Sequence, residues 1–326
     1  MTFDEFQEKL FRKIRYTWVT KLEHKPIYKY CYPSYYHCLM HNAQENGDTS
    51  TIYFAAKPNP GAGIGHQLAN WIAGYWFAQY FGLKFAHMPF SSEQWEHFLG
   101  FYQDEVTVKE LKQQGYRVVR IQKFDEYNEA DLDRIRFIIR SYSGRKVILL
   151  CEQDQFYHDQ YGVRDAIQQK FYSCPARNES PLIYNKNHYN VAIHVRRGDI
   201  MDPATFNDPE MTKRYQPTSY FVNALKTALA DIKDEREVHI YLFSEGTEAD
   251  FPEFKEFDNL HFCLDMSARA SFEHMVYADV LITSKSSFSY KPALLNRGIK
   301  YSPRKFWHGY PEEDTWILLD EEGNKI

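Results

Sequence analysis

The stretch Asn190-Val191-Ala192-Ile193-His194-Val195-Arg196-Arg197-Gly198-Asp199 decides how this chain is read. A run of Val, Ala and Ile bounded by polar residues reads as a buried strand. It runs out into an imidazole, two guanidiniums, a glycine and a carboxylate. Open α/β sheets place ligands just past the carboxyl ends of their strands. Two arginines there suit an anion, because a planar guanidinium grips two phosphate oxygens at once. Gly198 lets the backbone turn sharply or come close to a ligand. The plainer alternative is a surface ion pair between Arg197 and Asp199.

Outward from this strand the same alternation recurs. Towards the carboxyl end, Pro217 to Lys233 reads as an amphipathic helix and Val238 to Phe243 as a strand. Leu260 to Leu264 is a further strand, Ser271 to Ala278 a helix, Val280 to Thr283 a strand and Ser289 to Asn296 a helix. Towards the amino end, Thr51 to Ala55 is a strand candidate, broken by the Pro- and Gly-rich stretch from Pro58 to Gly65. Gln67 to Phe81 follows as a long helix and Leu83 to Ala86 as a strand, which makes a βαβ unit. Arg117 to Ile121 and Lys146 to Cys151 add strand-like runs, with a helix over Ala130 to Tyr142 between them. Residues 24 to 50 are rich in Tyr, His and Pro and read as irregular; Cys174 to His188 reads as a domain link. Two successive α/β halves follow, 1–185 and 186–326.

Bulk properties narrow the function. The 326 residues are enough for two compact domains. A net charge of −5 argues against broad nucleic-acid binding, which needs a basic face. No stretch is apolar for the roughly 18 or more residues of a membrane span, and Met1 to Leu22 lacks a signal-peptide core. That segment fits an amphipathic helix packed on the body. Five scattered cysteines without a C-x-x-C favour reduced, partly buried thiols. A cytoplasmic protein is expected, or a soluble form lacking an anchor.

Three more constellations could carry chemistry. Gly61-Ala62-Gly63-Ile64-Gly65-His66-Gln67 lies between strand and helix, where N–H groups and the helix dipole favour an anion. Its G-x-G-x-G spacing is neither the dinucleotide fingerprint nor a P-loop, so a tight packing turn explains it equally well. The run Val280-Leu281-Ile282-Thr283-Ser284-Lys285-Ser286-Ser287-Phe288-Ser289 carries an apolar strand into a hydroxyl cluster and a helix. Ser286 or Ser287 there could seat a phosphate or simply cap the helix. Tyr241-Leu242-Phe243-Ser244-Glu245 ends a strand in a carboxylate, which could accept two N–H bonds from a guanine edge or lie solvated in a turn. The triplet Asp131-Leu132-Asp133 opens a helical pattern, where the dipole favours acids, and no metal site is expected.

In this order the constellations resemble the superfamily of fucosyltransferases that use GDP-fucose: the α1,2- and α1,6-enzymes, the nodulation enzymes and the protein O-fucosyltransferases. The family motif H-x-R-R-x-D is matched by His194-Val195-Arg196-Arg197-Gly198-Asp199. The family's G-x-G-N-Q loop is similar to Gly63-Ile64-Gly65-His66-Gln67, with His66 for the usual asparagine. The later hydroxyl motif resembles Ser286-Ser287-Phe288-Ser289, and Phe243-Ser244-Glu245 a segment that usually ends in Asp.

The resemblance implies an α/β, GT-B architecture of two Rossmann-like domains facing across a cleft. The acceptor-side domain would be amino-terminal and the nucleotide-sugar domain carboxyl-terminal. It implies metal-independent, inverting transfer of fucose from GDP-fucose to a glycan hydroxyl, with no cofactor beyond that donor. Carried over, Arg196 would hold the β-phosphate, His194 would contact the nucleotide, Ser286 and Ser287 would hold phosphate or ribose, and Glu245 would read guanine. Gly63, Gly65, His66, Gln67 and Phe288 would complete the donor site. Asp202, Asp199 and His66 compete for the acceptor base, His66 because its ordinary pKa lies near neutrality. Trp71, Trp76, Trp95 and Tyr102 are candidate acceptor contacts. Transfer of a different sugar, and nucleotide or glycan binding without catalysis, are the alternatives.

Overall fold

The computed structural model describes residues 10, 13–14, 17–23, 25–41, 47–59, 61–152, 157–178, 181–201, 208, 212–264 and 266–326, apart from the side chains of Asn178 and Asp199. Ten strands are named in chain order: β1 (Ile52–Ala56), β2 (Lys84–Phe85), β3 (Arg117–Arg120), β4 (Val147–Cys151), β5 (Tyr189–His194), β6 (Val238–Phe243), β7 (Leu260–Cys263), β8 (Val280–Ile282), β9 (Ile299–Pro303) and β10 (Trp316–Leu319). They form two all-parallel sheets, ordered β2-β1-β4-β3 and β10-β9-β8-β5-β6-β7. This is the α/β class expected, with two Rossmann-like units. Each of the two compact units is built from several separate stretches of chain. One unit is Met1–Asn59, Asn70–Pro89 and Asp104–Tyr157; the other is Pro60–Ala69, Phe90–Gln103 and His158–Ile326. A cut at 185/186 falls inside the second of these.

In the first unit β1 and β4 are central, and their burial is nearly continuous, as parallel strands covered on both faces require. Helix α1 (Ile64–Tyr80) follows the glycine loop, and Gly74 lets it press on β1, since a Cβ there would lie 2.4 Å from that of Ala56. Helix α2 (Glu129–Ser141) buries Leu132, Ile135, Ile138 and Ile139 at helical spacing. Its amino end is capped by Asn128, whose Oδ1 accepts from the amides of Ala130 and Asp131.

The second unit has the strand order of a doubly wound dinucleotide-type sheet. Counted from β5 as the first strand, its order is 6-5-4-1-2-3, which read from the other edge is 3-2-1-4-5-6. The order reverses between β5 and β8, so no connection crosses over the carboxyl ends there and a crevice opens. Val191, Ile193, Ile240, Leu242, Val280 and Ile282 form its core with Tyr220, Phe221, Ala224, Leu225 and Ala228 of helix α3 (Thr218–Asp231). Each fully buried aliphatic side chain contributes about 1.5–3 kcal/mol. Helices α4 (Ala268–Tyr277) and α5 (Ser287–Leu295) flank β8.

Several expectations need correction. Residues 24 to 50 are not irregular throughout, because Pro33–Met40 is a helix opened by Pro33 at its first position. Helices Glu93–Leu99, Val108–Gln113 and Arg164–Ser173 have no counterpart in the sequence reading. Strands β9 and β10 were not foreseen either. Tyr301 is 1% exposed within β9, yet the buried Lys300 and Ser302 beside it hide the apolar run. Among the described residues no helix is long and apolar enough to cross a membrane.

Candidate active site

The strand beginning at Tyr189 delivers His194 to the switch point of the second sheet, in register with Phe243 of β6. On its other side β8 runs beside it, with Ile193 opposite Ile282. The chain leaving β8 then places Ser284 within 2.8 Å of His194 Nδ1. His194 is buried among these elements. Desolvation, and then the positive charge of Arg196, push its pKa down from 6.5 to about 3. The imidazole is therefore neutral at neutral pH and adds no charge beside Arg196.

Arg196 Nη1 donates to Ser286 Oγ at 3.3 Å. The same Oγ accepts from the amide of Phe288 at 3.2 Å, so Ser286 is the N-cap of α5. A guanidinium, a capping hydroxyl and the positive end of a helix dipole thus converge past the carboxyl ends of two strands. That combination favours a phosphate. Ser289 steadies the turn, its Oγ accepting from the amide of Ser284 at 3.2 Å. Phe288 packs its ring 5.4 Å from that of His194.

Arg197 has a different task. Its Nη1 donates to the carbonyls of Arg196 (2.9 Å) and Gln216 (3.1 Å), and its Nη2 to Thr218 Oγ1 (3.1 Å). Gln216 in turn accepts the amide of Lys285 through Oε1 at 2.7 Å. Arg197 therefore ties the motif to the start of α3 and, through Gln216, to the loop after β8. The side chain of Asp199, its partner in the alternative surface ion pair, lies outside the described residues. Gln216, Thr218 and Ser284 were missing from the sequence reading. Ser284 lay inside the quoted hydroxyl cluster, whereas Gln216 carries no local signal.

Gly198 has φ +61°, and a Cβ there would fall 1.3 Å from Glu245 Oε2. The left-handed backbone is what calls for glycine here, since the flexible carboxylate end of the exposed Glu245 can swing aside. Glu245 follows β6 and is exposed, and the preceding Ser244 donates to the carbonyl of Val195 at 2.7 Å. The backbone of Asp199 lies in the short 3-10 helix Gly198–Met201, and Asp202 is outside the described residues.

The glycine loop belongs to this second unit. A Cβ on Gly65 would lie 2.8 Å from the carbonyl carbon of Ser287 and 2.9 Å from its oxygen, so α1 starts in direct contact with the start of α5. Gly63 has nothing within 4 Å of a Cβ position. His66 is half-buried in the first turn of α1. The Gln67 amide is consumed internally: Nε2 donates to Ala62 O and to Ser91 Oγ, both at 2.8 Å, and Oε1 accepts the Ser91 amide at 2.9 Å. Ser287 is half-buried at the first position of α5.

Of the aromatic acceptor candidates only Trp71 is buried; Trp76 and Trp95 are half-buried and Tyr102 is exposed. Trp71 is fully buried and donates to His87 Nδ1 at 3.0 Å; Trp76 stacks on Tyr157 at 4.0 Å; Trp95 packs edge-on against Phe98 at 5.6 Å. Tyr102 is 39% exposed. The carboxylates of Asp131 and Asp133 bond Arg134 (2.6 Å) and Arg136 (2.8 Å). At the amino ends of β5 and β6, His188, Glu237 and His239 hold nitrogen and oxygen atoms within 4.8 Å of one another. The two imidazoles stack at 3.8 Å and 11°, so their in-plane lone pairs run in parallel planes and cannot converge on one ion without a ring turning.

No family model matches this chain, and no curated protein matches it. Among solved structures it is similar to POFUT1 in complex with GDP at 12% identity and TM-score 0.47, over 78% of this chain and 98% of that one. It is similar to NodZ α-1,6-fucosyltransferase soaked with GDP-fucose at 14% and TM-score 0.42, over 74% and 92%. It is also similar to the E. coli heptosyltransferase WaaC with ADP at 12% and TM-score 0.40, over 84% and 92%. These values are low, and the functional case rests on the residues of the site itself.

Proposed function

We propose that this chain is a glycosyltransferase whose second unit binds a nucleotide sugar at the β5/β8 switch point. The observation that carries the reading is the convergence of Arg196, Ser286 and the amino end of α5 beside the neutral, buried His194. A diphosphate seated there would have its leaving charge met by a fixed guanidinium. As the sugar–phosphate bond breaks, negative charge builds on the departing phosphate, so Arg196 acts more strongly on the transition state than on the ground state. The sugar carbon passes through an oxocarbenium-like state. Gly198 and Arg197 act by position, fixing the backbone on which Arg196 stands.

The finer reading is fucose transfer from GDP-fucose to a glycan hydroxyl, with inversion and without a metal. It is supported by the full H-x-R-R-x-D match at His194 to Asp199 and by the placement of Glu245 over Gly198, at the same edge of the sheet. Glu245 would accept the N–H groups of guanine. Gly63, Gly65, His66 and Ser287 would line the donor from the start of α1 and of α5. The acceptor base would be His66, Asp199 or Asp202, and the first unit would take the acceptor.

The test is binding and turnover of a panel of nucleotide sugars with and without EDTA. GDP-fucose is expected to bind and react, insensitive to EDTA. Turnover of another nucleotide sugar in its place would move the reading to a different transferase. GDP bound with no transfer to any glycan would move it to a binding protein.

A further inference from the structure

Exposed apolar surface is concentrated near the amino end of the first unit. Eight of the seventeen large apolar side chains exposed among the described residues fall between Leu10 and Met40. Three of them, Leu10, Ile14 and Trp18, are 45%, 46% and 64% exposed. They stand four residues apart, and the described residues from 10 to 22 are helical, so the three share one face. Val19 and Leu22, further round the helix, are half-buried, and Glu23 at its end accepts from Lys123 at 2.6 Å. The helix therefore lies on the body with an apolar stripe left in solvent. This corrects the expectation that the segment packs its apolar side chains on the body.

Charge selects among the occupants of that stripe. Residues 9 to 21 carry five cations, Lys9, Arg12, Lys13, Arg15 and Lys21, and no acid, in a chain of net charge −5. Lys13 and Lys21, which are described, are both exposed. A second copy would bring the same five cations against these, which repels. An acidic groove that wraps a helix needs more than one free face, and Val19 and Leu22 already occupy another. A plane that is anionic at its surface and apolar beneath needs one face only. Trp18 suits that boundary, because an indole is apolar over its ring and polar at its N–H.

We propose that the face of Leu10, Ile14 and Trp18 rests on an anionic lipid surface. The three side chains enter the boundary between headgroups and acyl chains, and the cations meet the lipid phosphates. The proposal does not rest on the transferase reading, because its readout is binding to vesicles alone.

The test is co-sedimentation of the full chain with vesicles of phosphatidylcholine alone and of phosphatidylcholine with phosphatidylglycerol. Anionic vesicles are expected to bind about tenfold or more tighter than neutral ones, and less tightly as salt rises. Ile14→Glu with Trp18→Glu should weaken that binding about tenfold or more. The melting temperature should not change, since both side chains are exposed. Lys13→Gln with Lys21→Gln should weaken binding to anionic vesicles about tenfold and leave neutral vesicles unaffected. Failure to bind anionic vesicles overturns the proposal. So does equal binding to both vesicle types, or either pair of substitutions changing nothing. A dimer in sedimentation velocity that Ile14→Glu with Trp18→Glu dissolves would assign the face to a second copy and overturn it too.

Discussion

The carboxyl edges of the two sheets are built on opposite principles. In the second unit the polar groups past β5 bond those past β8 and at the start of α3: His194 to Ser284, Arg196 to Ser286, and Arg197 to Gln216 and Thr218. In the first unit, the edge past β3 pairs its acids with two cations and leaves Gln122 Oε1 unpaired. The difference teaches that preorganisation is uneven. The second edge has its polar groups held by one another, whereas the first keeps one buried acceptor without a partner among the described residues.

The sharpest way to break this contrast is Arg196→Ala. It should lower donor turnover by about 10²–10³-fold and leave the unfolding midpoint near that of the parent. Steady-state kinetics with GDP-fucose, read beside a thermal melt, decide it. Near-normal turnover would remove Arg196 from the role of leaving-group stabiliser and with it the claim of a preset edge.

Next in size are the glycines that let backbones approach. Gly65→Ala drives a methyl into the Ser287 backbone and should cost about 1–3 kcal/mol by urea unfolding. Gly63→Ala meets nothing within 4 Å and should be close to neutral. Equal costs would mean that α1 and α5 do not depend on that contact. Gly198→Ala should cost about 1–2 kcal/mol for its left-handed backbone, and Glu245→Ala in the same chain should recover only the part due to the carboxylate.

Acid sensitivity sharpens the comparison further. His194 has a folded pKa of about 3 against 6.5 unfolded, so unfolding takes up a proton between these values. Stability is then full above about pH 6.5 and falls as pH drops towards 3, by up to about 1.4 kcal/mol per unit for one proton. His37 in the first unit, lowered to about 4 by burial and then by His41 and nearby arginines, adds a smaller loss over a narrower range, because its partly exposed ring is screened by solvent. Urea titrations at several pH values should show His194→Asn with a slope shallower by about one proton. An unchanged slope would mean that His194 is not held neutral.

The smallest effect belongs to the Asp-x-Asp triplet. Asp131→Asn and Asp133→Asn each remove a partly exposed ion pair and should cost no more than about 1 kcal/mol. Donor turnover should stay within about twofold. A collapse of activity in either variant, restored by added divalent cation, would overturn the reading of these acids as helix-end pairs.

The sequence was enough for much of the scaffold. The apolar runs at Val191, Ile240, Val280 and Ile148 each became a strand, because a parallel strand buried on both faces must be apolar almost without a break. The long helix after the glycine loop and the Leu132–Ile139 helix were equally plain from their period. Strand β9 was hidden because Lys300 is buried with its Nζ donating to Gly298 O at 2.8 Å, a satisfaction no local pattern announces. The short helices were hidden because a turn or two of weak periodicity does not rise above its surroundings.

For the site, sequence alone determined which residues leave the strands: His194, Arg196 and Arg197 after β5, Glu245 after β6, and the serines after β8. Strand continuity fixes that, since a side chain just past a strand has nowhere else to go. Only the tertiary structure decided their division of labour. Two adjacent arginines are chemically alike in the chain, yet Arg196 reaches the cap of α5 while Arg197 is spent on Gln216 and Thr218. Gln67, which looked like a ligand, closes its own loop, and Gly65 proves to be a point of backbone contact with Ser287. These outcomes depend on strand order, because the 3-2-1-4-5-6 arrangement brings β8 beside β5 across about ninety residues, and no local sequence rule encodes that neighbour.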